Sequence, residues 1–303
     1  MYKAGCGLRV SSIIMKKIKL DRKLISNLEG RRMFVGLGAM KSGTSWLSVY
    51  LKSHPDVFQS PVKEMNFFNT LVPNSDINIG QGLRFFKMKQ VLLQNGWRGL
   101  FRLQRYKKLR DLIILGHLNG NTDAYLQYFA SRIGEEELFG EICTSYACLP
   151  PEGYQRIAEL GYDLRMFFIM RDPTDRAISH IQHHRRRHSN LNVDDEIERM
   201  KIGYNLYDRS NYTETIRSVS KGAPNTPFET FIYEDLFTEK TMMSFCDFLG
   251  IKYIDPDFSK EVNVARTPGV NEKQAIRIRE KLEPVYRDLE KFFGNGKPKS
   301  WKW

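Results

Sequence analysis

Gly36-Leu-Gly-Ala-Met-Lys-Ser-Gly-Thr-Ser-Trp46 follows the apolar run Met33-Phe-Val35 and leads into Leu47-Ser-Val-Tyr-Leu51. The apolar run predicts a buried strand, the small residues a tight loop, and the segment after it a helix. Strand, Gly-rich loop and helix aim backbone N–H groups and a helix N-terminus at one spot, and such a spot binds phosphate or another anion. Working outward, apolar strand-like and helix-like segments alternate. Strands are expected in the segment after His54-Pro55, at Leu138–Ile142, at Arg165–Met170 and at Phe228–Tyr233. Helices are expected at Asp123–Ile133, Pro151–Leu160, Pro173–His188, Leu206–Val219, Met242–Leu249 (closed by Gly250) and Lys273–Phe293. This order implies an α/β fold: a P-loop-like, three-layer arrangement with a central parallel sheet flanked by helices, and ligands at the carboxyl ends of the strands.

The position of the lysine decides which anion. A loop for a Mg²⁺-bound nucleoside triphosphate reads Gly-x-x-x-x-Gly-Lys-Ser/Thr. Gly38 and Gly43 have that separation, but Thr44 stands where the lysine belongs and the lysine is Lys41, inside the loop. The Mg²⁺-triphosphate geometry is therefore unsupported. A second segment, Arg165-Met-Phe-Phe-Ile-Met-Arg-Asp-Pro-Thr-Asp-Arg-Ala-Ile-Ser179, is a buried-strand pattern that ends in Arg171. Pro173 fits the first turn of a following helix, where its missing N–H costs little. Arg171 offers a planar fork of donors suited to phosphate, and Ser179 adds a hydroxyl two turns along.

Taken singly, the loop also reads as an ordinary strand–helix turn with a solvated lysine, and Arg171 as a surface ion pair. Together, in this order and about 130 residues apart, the two segments resemble the 5′-phosphosulfate loop and the 3′-phosphate motif of sulfotransferases, which use 3′-phosphoadenosine 5′-phosphosulfate (PAPS). The resemblance implies that Lys41, Ser42, Gly43, Thr44, Ser45 and Trp46 hold the 5′ side of the nucleotide, with Lys41 offsetting charge on the departing phosphate. It implies that Arg171 and Ser179 hold the 3′-phosphate.

Lys63-Glu-Met-Asn-Phe-Phe68 resembles the Glu-x-x-Phe-Phe segment of the heparan-sulfate-type branch. Glu64 would then be the general base and Lys63 would help hold the sulfuryl oxygens; the plain alternative is a solvated Glu64–Lys63 pair. The histidine base and the late Arg-Lys-Gly-x-x-Gly segment of the cytosolic small-molecule branch are not found. Gly140-Glu-Ile-Cys-Thr-Ser-Tyr146 resembles the Glu-Lys-Thr-Pro-x-Tyr segment of the glycan branch only at Glu141 and Tyr146, and departs from it at Ile142, Cys143 and Thr144. Thr144 and Tyr146 either line the acceptor side or pack. Ser210 and Tyr212 resemble a Ser-x-Tyr near the nucleotide; the alternative is an N-cap serine and a packed tyrosine. Asn263-Val-Ala-Arg266 falls where relatives close a loop over the adenine and the 3′-phosphate; their Lys-Gly-Arg is missing here, and Arg266 is the candidate phosphate contact.

The 303 residues are assigned to a basic N-terminal extension, 1–31, and a sulfotransferase domain, 32–303, with a helical insertion at about 70–134. Within the insertion, Trp97–Arg110 mixes aromatic and basic residues, either to stack on rings or to anchor the insertion. A formal net charge of +12 favours anionic ligands without choosing among them. Cys6, Cys143, Cys148 and Cys246 make no Cys-x-x-Cys pair, and no histidine cluster stands at zinc spacing around them. They read as reduced thiols, and no metal is expected. Four of the six histidines lie in His180–His188 among arginines, which reads as a charged, solvated helix end or as a cationic wall for an anionic acceptor. Ser11–Met15 is too short for a membrane span or a signal sequence. The expectation is a cytoplasmic bacterial or viral enzyme, with the Golgi lumen admitted only if the chain is trimmed. Its partner would be a polysaccharide or a small hydroxylated acceptor, and not nucleic acid. A P-loop phosphotransferase and a basic nucleic-acid-binding module are the competing readings.

Overall fold

The computed structural model of the chain describes residues 21–72, 118, 120–186, 188, 190–260 and 269–303. The Trp97–Arg110 segment, Cys6, Ser11–Met15 and Arg266 lie outside them. Five strands, β1 (Arg32–Gly38), β2 (Val57–Gln59), β3 (Leu138–Ile142), β4 (Asp163–Met170) and β5 (Phe228–Ile232), form one sheet in the order β2-β3-β1-β4-β5. Every pairing between them is parallel. The helices are α1 (Thr44–Ser53), α2 (Thr122–Ala130), α3 (Pro151–Ala158), α4 (Pro173–Arg185), α5 (Val193–Glu198), α6 (Tyr212–Gly222), α7 (Glu239–Leu249), α8 (Glu272–Lys281) and α9 (Glu283–Phe293), with helical turns at Arg22–Ile25 and Asn205–Asp208.

The sheet is covered on both faces, which is why its central strands read as unbroken apolar runs. Met33, Val35 and Leu37 of β1 and Met166, Phe168 and Met170 of β4 face one core, with Tyr154 and Ile157 of α3, Val219 of α6 and Leu289 of α9. Phe34, Phe167 and Ile169 face the other, with Leu47 and Leu51 of α1 and Phe245 and Leu249 of α7. Each large side chain buried there stabilises the fold by about 1.5–3 kcal/mol. Leu28 is fully buried in the first core, so the residues just before β1 are part of the packed body.

β1 is the central strand. It connects through α1 to β2 on one side, whereas β3 connects through α3 across β1 to β4 on the other. Because α1 and α3 cover opposite faces, the strand order reverses around β1. Such a reversal, at the carboxyl ends of the strands, is where open α/β sheets bind their ligands.

Two expected helices are each broken once. Lys273–Phe293 divides at Leu282, because Pro284 lacks the N–H that a continuous helix would need. Leu206–Val219 divides at Arg209–Asn211, where Ser210 turns inward and is buried. Cys143, Cys148 and Cys246 are free thiols. No helix among the described residues is long and apolar enough to cross a membrane.

Candidate active site

The loop after β1 is shaped by its neighbours. Gly43 caps α1 with φ +76°, and a side chain there would meet the Tyr233 ring at 2.9 Å, so conformation and space both demand glycine. Lys41 (φ 76°), Glu64 (φ 56°) and Asn66 (φ 53°) are the non-glycine residues with left-handed backbone among those described. Such a conformation costs roughly 1–3 kcal/mol and persists only where the surroundings impose it, typically at functional sites. Two of the three are the lysine and the glutamate that the sequence nominates for chemistry.

Arg171, at the end of β4, reaches the loop: its Nη1 donates to the Lys41 carbonyl at 3.1 Å. Its guanidinium lies over the Tyr233 ring, 4.6 Å from the centroid. Tyr233 is thus wedged between Gly43 and Arg171. Ser42 is fully buried, and neither its Oγ nor Arg171 Nε has a hydrogen-bond partner among the described residues. A buried polar atom left without a partner costs about 1–3 kcal/mol. Each would be satisfied by an anionic ligand that accepts from it. The first N–H groups of α1, which have no carbonyl within the helix, add to the same donor set.

Lys63 Nζ donates to Ser45 Oγ at 2.9 Å, which brings the Lys63–Phe68 turn onto the first turn of α1. The Glu64 carboxylate is held by Thr144: the backbone N–H donates at 2.8 Å and Oγ1 at 3.1 Å. Asn66 Nδ2 donates to the Glu64 carbonyl at 2.9 Å, and the Phe67 N–H donates to the Tyr146 hydroxyl at 2.9 Å. Arg209 Nη1 in turn donates to the Thr144 carbonyl at 3.1 Å. Glu141 is buried and accepts from the hydroxyls of Tyr125 and Tyr146, each at 2.9 Å. It therefore supports Tyr146 and does not line a cleft.

Other nominated residues fall into supporting positions. Tyr212 is fully buried and its hydroxyl donates to the Arg171 carbonyl at 2.9 Å, the packed alternative of its two readings. Ser210 is not an N-cap; its Oγ accepts from Arg176 Nε at 2.8 Å. Trp46 is 5 % exposed; its Nε1 donates to the Asp257 carbonyl, and its ring stacks on Tyr50 and Phe258 in the core beside α1. Thr44 is buried at the start of α1, and Ser179 is half-buried on α4.

The expectation of a solvated helix end at His180–His188 is corrected for His180, which is 3 % exposed. Arg176, one turn before it, is fully buried, and burial lowers its guanidinium to about 10, so it remains charged at neutral pH. Arg176 Nη1 contacts His180 Nδ1 at 3.2 Å, and His180 Nε2 faces His184 Nε2 at 3.1 Å. Burial, and then the charge of Arg176, hold His180 well below the ordinary histidine range. Below about pH 6.5 the unfolded chain binds a proton that folded His180 refuses, so stability falls with falling pH by up to about 1.4 kcal/mol per unit. Denaturant midpoints between about pH 5 and 7 are expected to show that slope. It should be reduced in His180→Gln; an equal slope in the variant would assign the titration to other groups.

Sequence reasoning passed over Asp172, Tyr233 and Glu234. Asp172 lies within the Arg171-Asp-Pro173 segment but was given no role there, and the only signal for Tyr233 and Glu234 was position, directly beyond the carboxyl end of β5, where an open parallel sheet places its site. Among the described residues no group of three or more His, Cys, Asp or Glu side chains is gathered to hold a metal ion.

Residues 157–303 match the family described as sulfotransferase domain, a stretch that includes Arg171, Ser179 and Tyr212 and begins after the Lys41 loop. The fold is that of the crystal structure of a sulfotransferase from Alicyclobacillus acidocaldarius, with a TM-score of 0.59 and 22 % identity over 88 % of this chain and 97 % of that one. The sulfotransferase domain from the Synechococcus PCC 7002 olefin synthase aligns with a TM-score of 0.44 and 18 % identity, over 85 % and 94 % of the two chains. Mouse sulfotransferase SULT7A1 complexed with PAP aligns with a TM-score of 0.40 and 15 % identity, over 93 % and 91 %. No curated protein sequence matches the chain.

Proposed function

We propose that this chain, whose residues 157–303 match a sulfotransferase domain, is a sulfotransferase that transfers the sulfuryl group of PAPS to a hydroxyl or amine of a carbohydrate-containing acceptor. The observation that supports this most is the bond from Arg171 Nη1 to the Lys41 carbonyl, which joins two motifs distant in sequence into one donor-rich site. The groups gathered there, from Lys41, Ser42, Thr44, Ser45 and Arg171, are suited to a ligand with phosphate at two positions. The nucleotide supplies an activated sulfuryl group on a phosphate leaving group. Lys41 and the loop N–H groups stabilise negative charge on the 5′ side, and Lys63, on Ser45, extends that cationic wall toward Glu64. Arg171 and Ser179 take the 3′-phosphate.

Glu64 takes the acceptor proton. Its carboxylate is oriented by Thr144, which fixes the direction from which the acceptor approaches and supports displacement in line with the leaving phosphate. Arg266, by its place in the sequence, is read as a further phosphate contact.

The test is a reaction without added metal, using PAPS labelled in its sulfuryl group and a panel of polysaccharides, oligosaccharides and small hydroxylated molecules. Label is expected to move to an acceptor with one adenosine 3′,5′-bisphosphate formed per transfer. Transfer of the γ-phosphoryl group of ATP with no transfer from PAPS would replace this reading with the phosphotransferase one.

A further inference from the structure

Two carboxylates, Asp172 and Glu234, stand beside the arginine that would bind a phosphate, an arrangement that by charge alone opposes anion binding. The hydrogen bonds show how they are occupied. Glu234 accepts the Asp172 N–H on Oε1 at 3.1 Å and the Trp301 Nε1–H on Oε2 at 2.9 Å. Asp172 accepts the Asp175 N–H on Oδ1 at 2.9 Å, and the Tyr286 hydroxyl and the Lys302 N–H on Oδ2 at 2.9 and 2.8 Å. Lys302 Nζ also bonds Asp175, at 2.6 Å. Trp301 is 4 % exposed, and its ring contacts that of Tyr212, whose hydroxyl holds the Arg171 carbonyl. Two chains of contacts therefore run from the segment Trp301–Lys302 to the backbone of Arg171–Asp172, one through Glu234 and one through Tyr212.

We infer that Glu234 and Trp301 are positioning residues for the 3′ end of the nucleotide: Trp301 Nε1 holds the Glu234 carboxylate, and Glu234 fixes the Asp172 N–H beside Arg171, so that the guanidinium is kept where a 3′-phosphate meets it. This rests on the reading of Arg171 as the 3′-phosphate ligand. With Trp301 Nε1 removed, Glu234 Oε2 loses its donor and the side chain holds the Asp172 N–H less firmly; Glu234→Gln leaves one acceptor oxygen for the two N–H donors and loosens the same link. The effect is larger at the 3′ position, because the 5′ side is held by the loop after β1 itself, which meets this network at the Arg171 bond to the Lys41 carbonyl.

The test uses the full chain with Trp301→Phe, which keeps an aromatic ring and deletes the donor, and Glu234→Gln, which weakens the same bond from the other side. Calorimetry gives the Kd of adenosine 3′,5′-bisphosphate and of adenosine 5′-phosphate for each, beside wild type and Arg171→Ala. Both variants are expected to bind the bisphosphate about tenfold more weakly, the loss of roughly one hydrogen bond to a charged group, and the monophosphate within about twofold of wild type. Equal weakening of both ligands would reduce Trp301 to a general structural role and overturn the inference. Unchanged bisphosphate affinity in both variants, with a large loss in Arg171→Ala, would also overturn it while sparing the Arg171 reading. An unchanged affinity in Arg171→Ala itself would remove the reading on which it rests.

Discussion

Glu64→Gln is expected to lower turnover by about 10²- to 10⁴-fold, the usual contribution of a positioned general base, and to leave the Kd of adenosine 3′,5′-bisphosphate within about twofold of wild type. The amide has the size of the carboxylate but cannot take a proton from the acceptor. It also presents an NH₂ to Thr144, whose backbone N–H and Oγ1 both donate toward the carboxylate, so the side chain is less firmly held. The two effects separate experimentally. Single-turnover rates at saturating acceptor report the proton transfer, and the acceptor KM reports any disorder of the Thr144–Glu64 pair. Thr144→Val, which keeps the backbone N–H, should be milder than Glu64→Gln. Turnover that survives Glu64→Gln would require a different base.

Arg171→Ala carries the second large effect. A charge-assisted bond to phosphate contributes about 1.5–3 kcal/mol, so removal of the guanidinium should weaken adenosine 3′,5′-bisphosphate binding by about 100-fold. Adenosine 5′-phosphate, which has no 3′-phosphate, should lose far less, only what the Arg171 bond to the Lys41 carbonyl contributes, so the change appears as lost discrimination. Arg171→Lys is expected to recover only part of it, because an ammonium group neither stacks flat on Tyr233 nor offers the planar fork that also reaches the Lys41 carbonyl.

Much of the fold and part of the site were legible in the sequence because they rest on local rules. The strand at Met33–Val35, the small residues before Thr44, and Pro173 just inside α4 each follow from what a short stretch can adopt. The parallel sheet follows from the alternation of strands and helices. The two motifs proposed to bind nucleotide were visible as residue patterns, and the structure brings them together at Lys41 and Arg171.

What remained hidden is what depends on distant partners. No local rule says that Thr144 holds Glu64 across 80 positions, or that Trp301 reaches Glu234. Arg176 and His180 carry polar side chains that hydropathy assigns to the surface, and they are buried because Ser210, Leu206 and each other satisfy their nitrogens. Tyr212 and Ser210 looked alike as ligand candidates; both turned out to serve arginines of the β4–α4 segment. Pattern nominates candidate ligand contacts more readily than the residues that hold them in place.

The most direct test of the account is calorimetric titration of the wild-type chain, without metal, with adenosine 3′,5′-bisphosphate and separately with ATP and Mg²⁺. The account predicts one bisphosphate bound per chain, much more tightly than ATP. Binding of ATP–Mg²⁺ with none of the bisphosphate would contradict it.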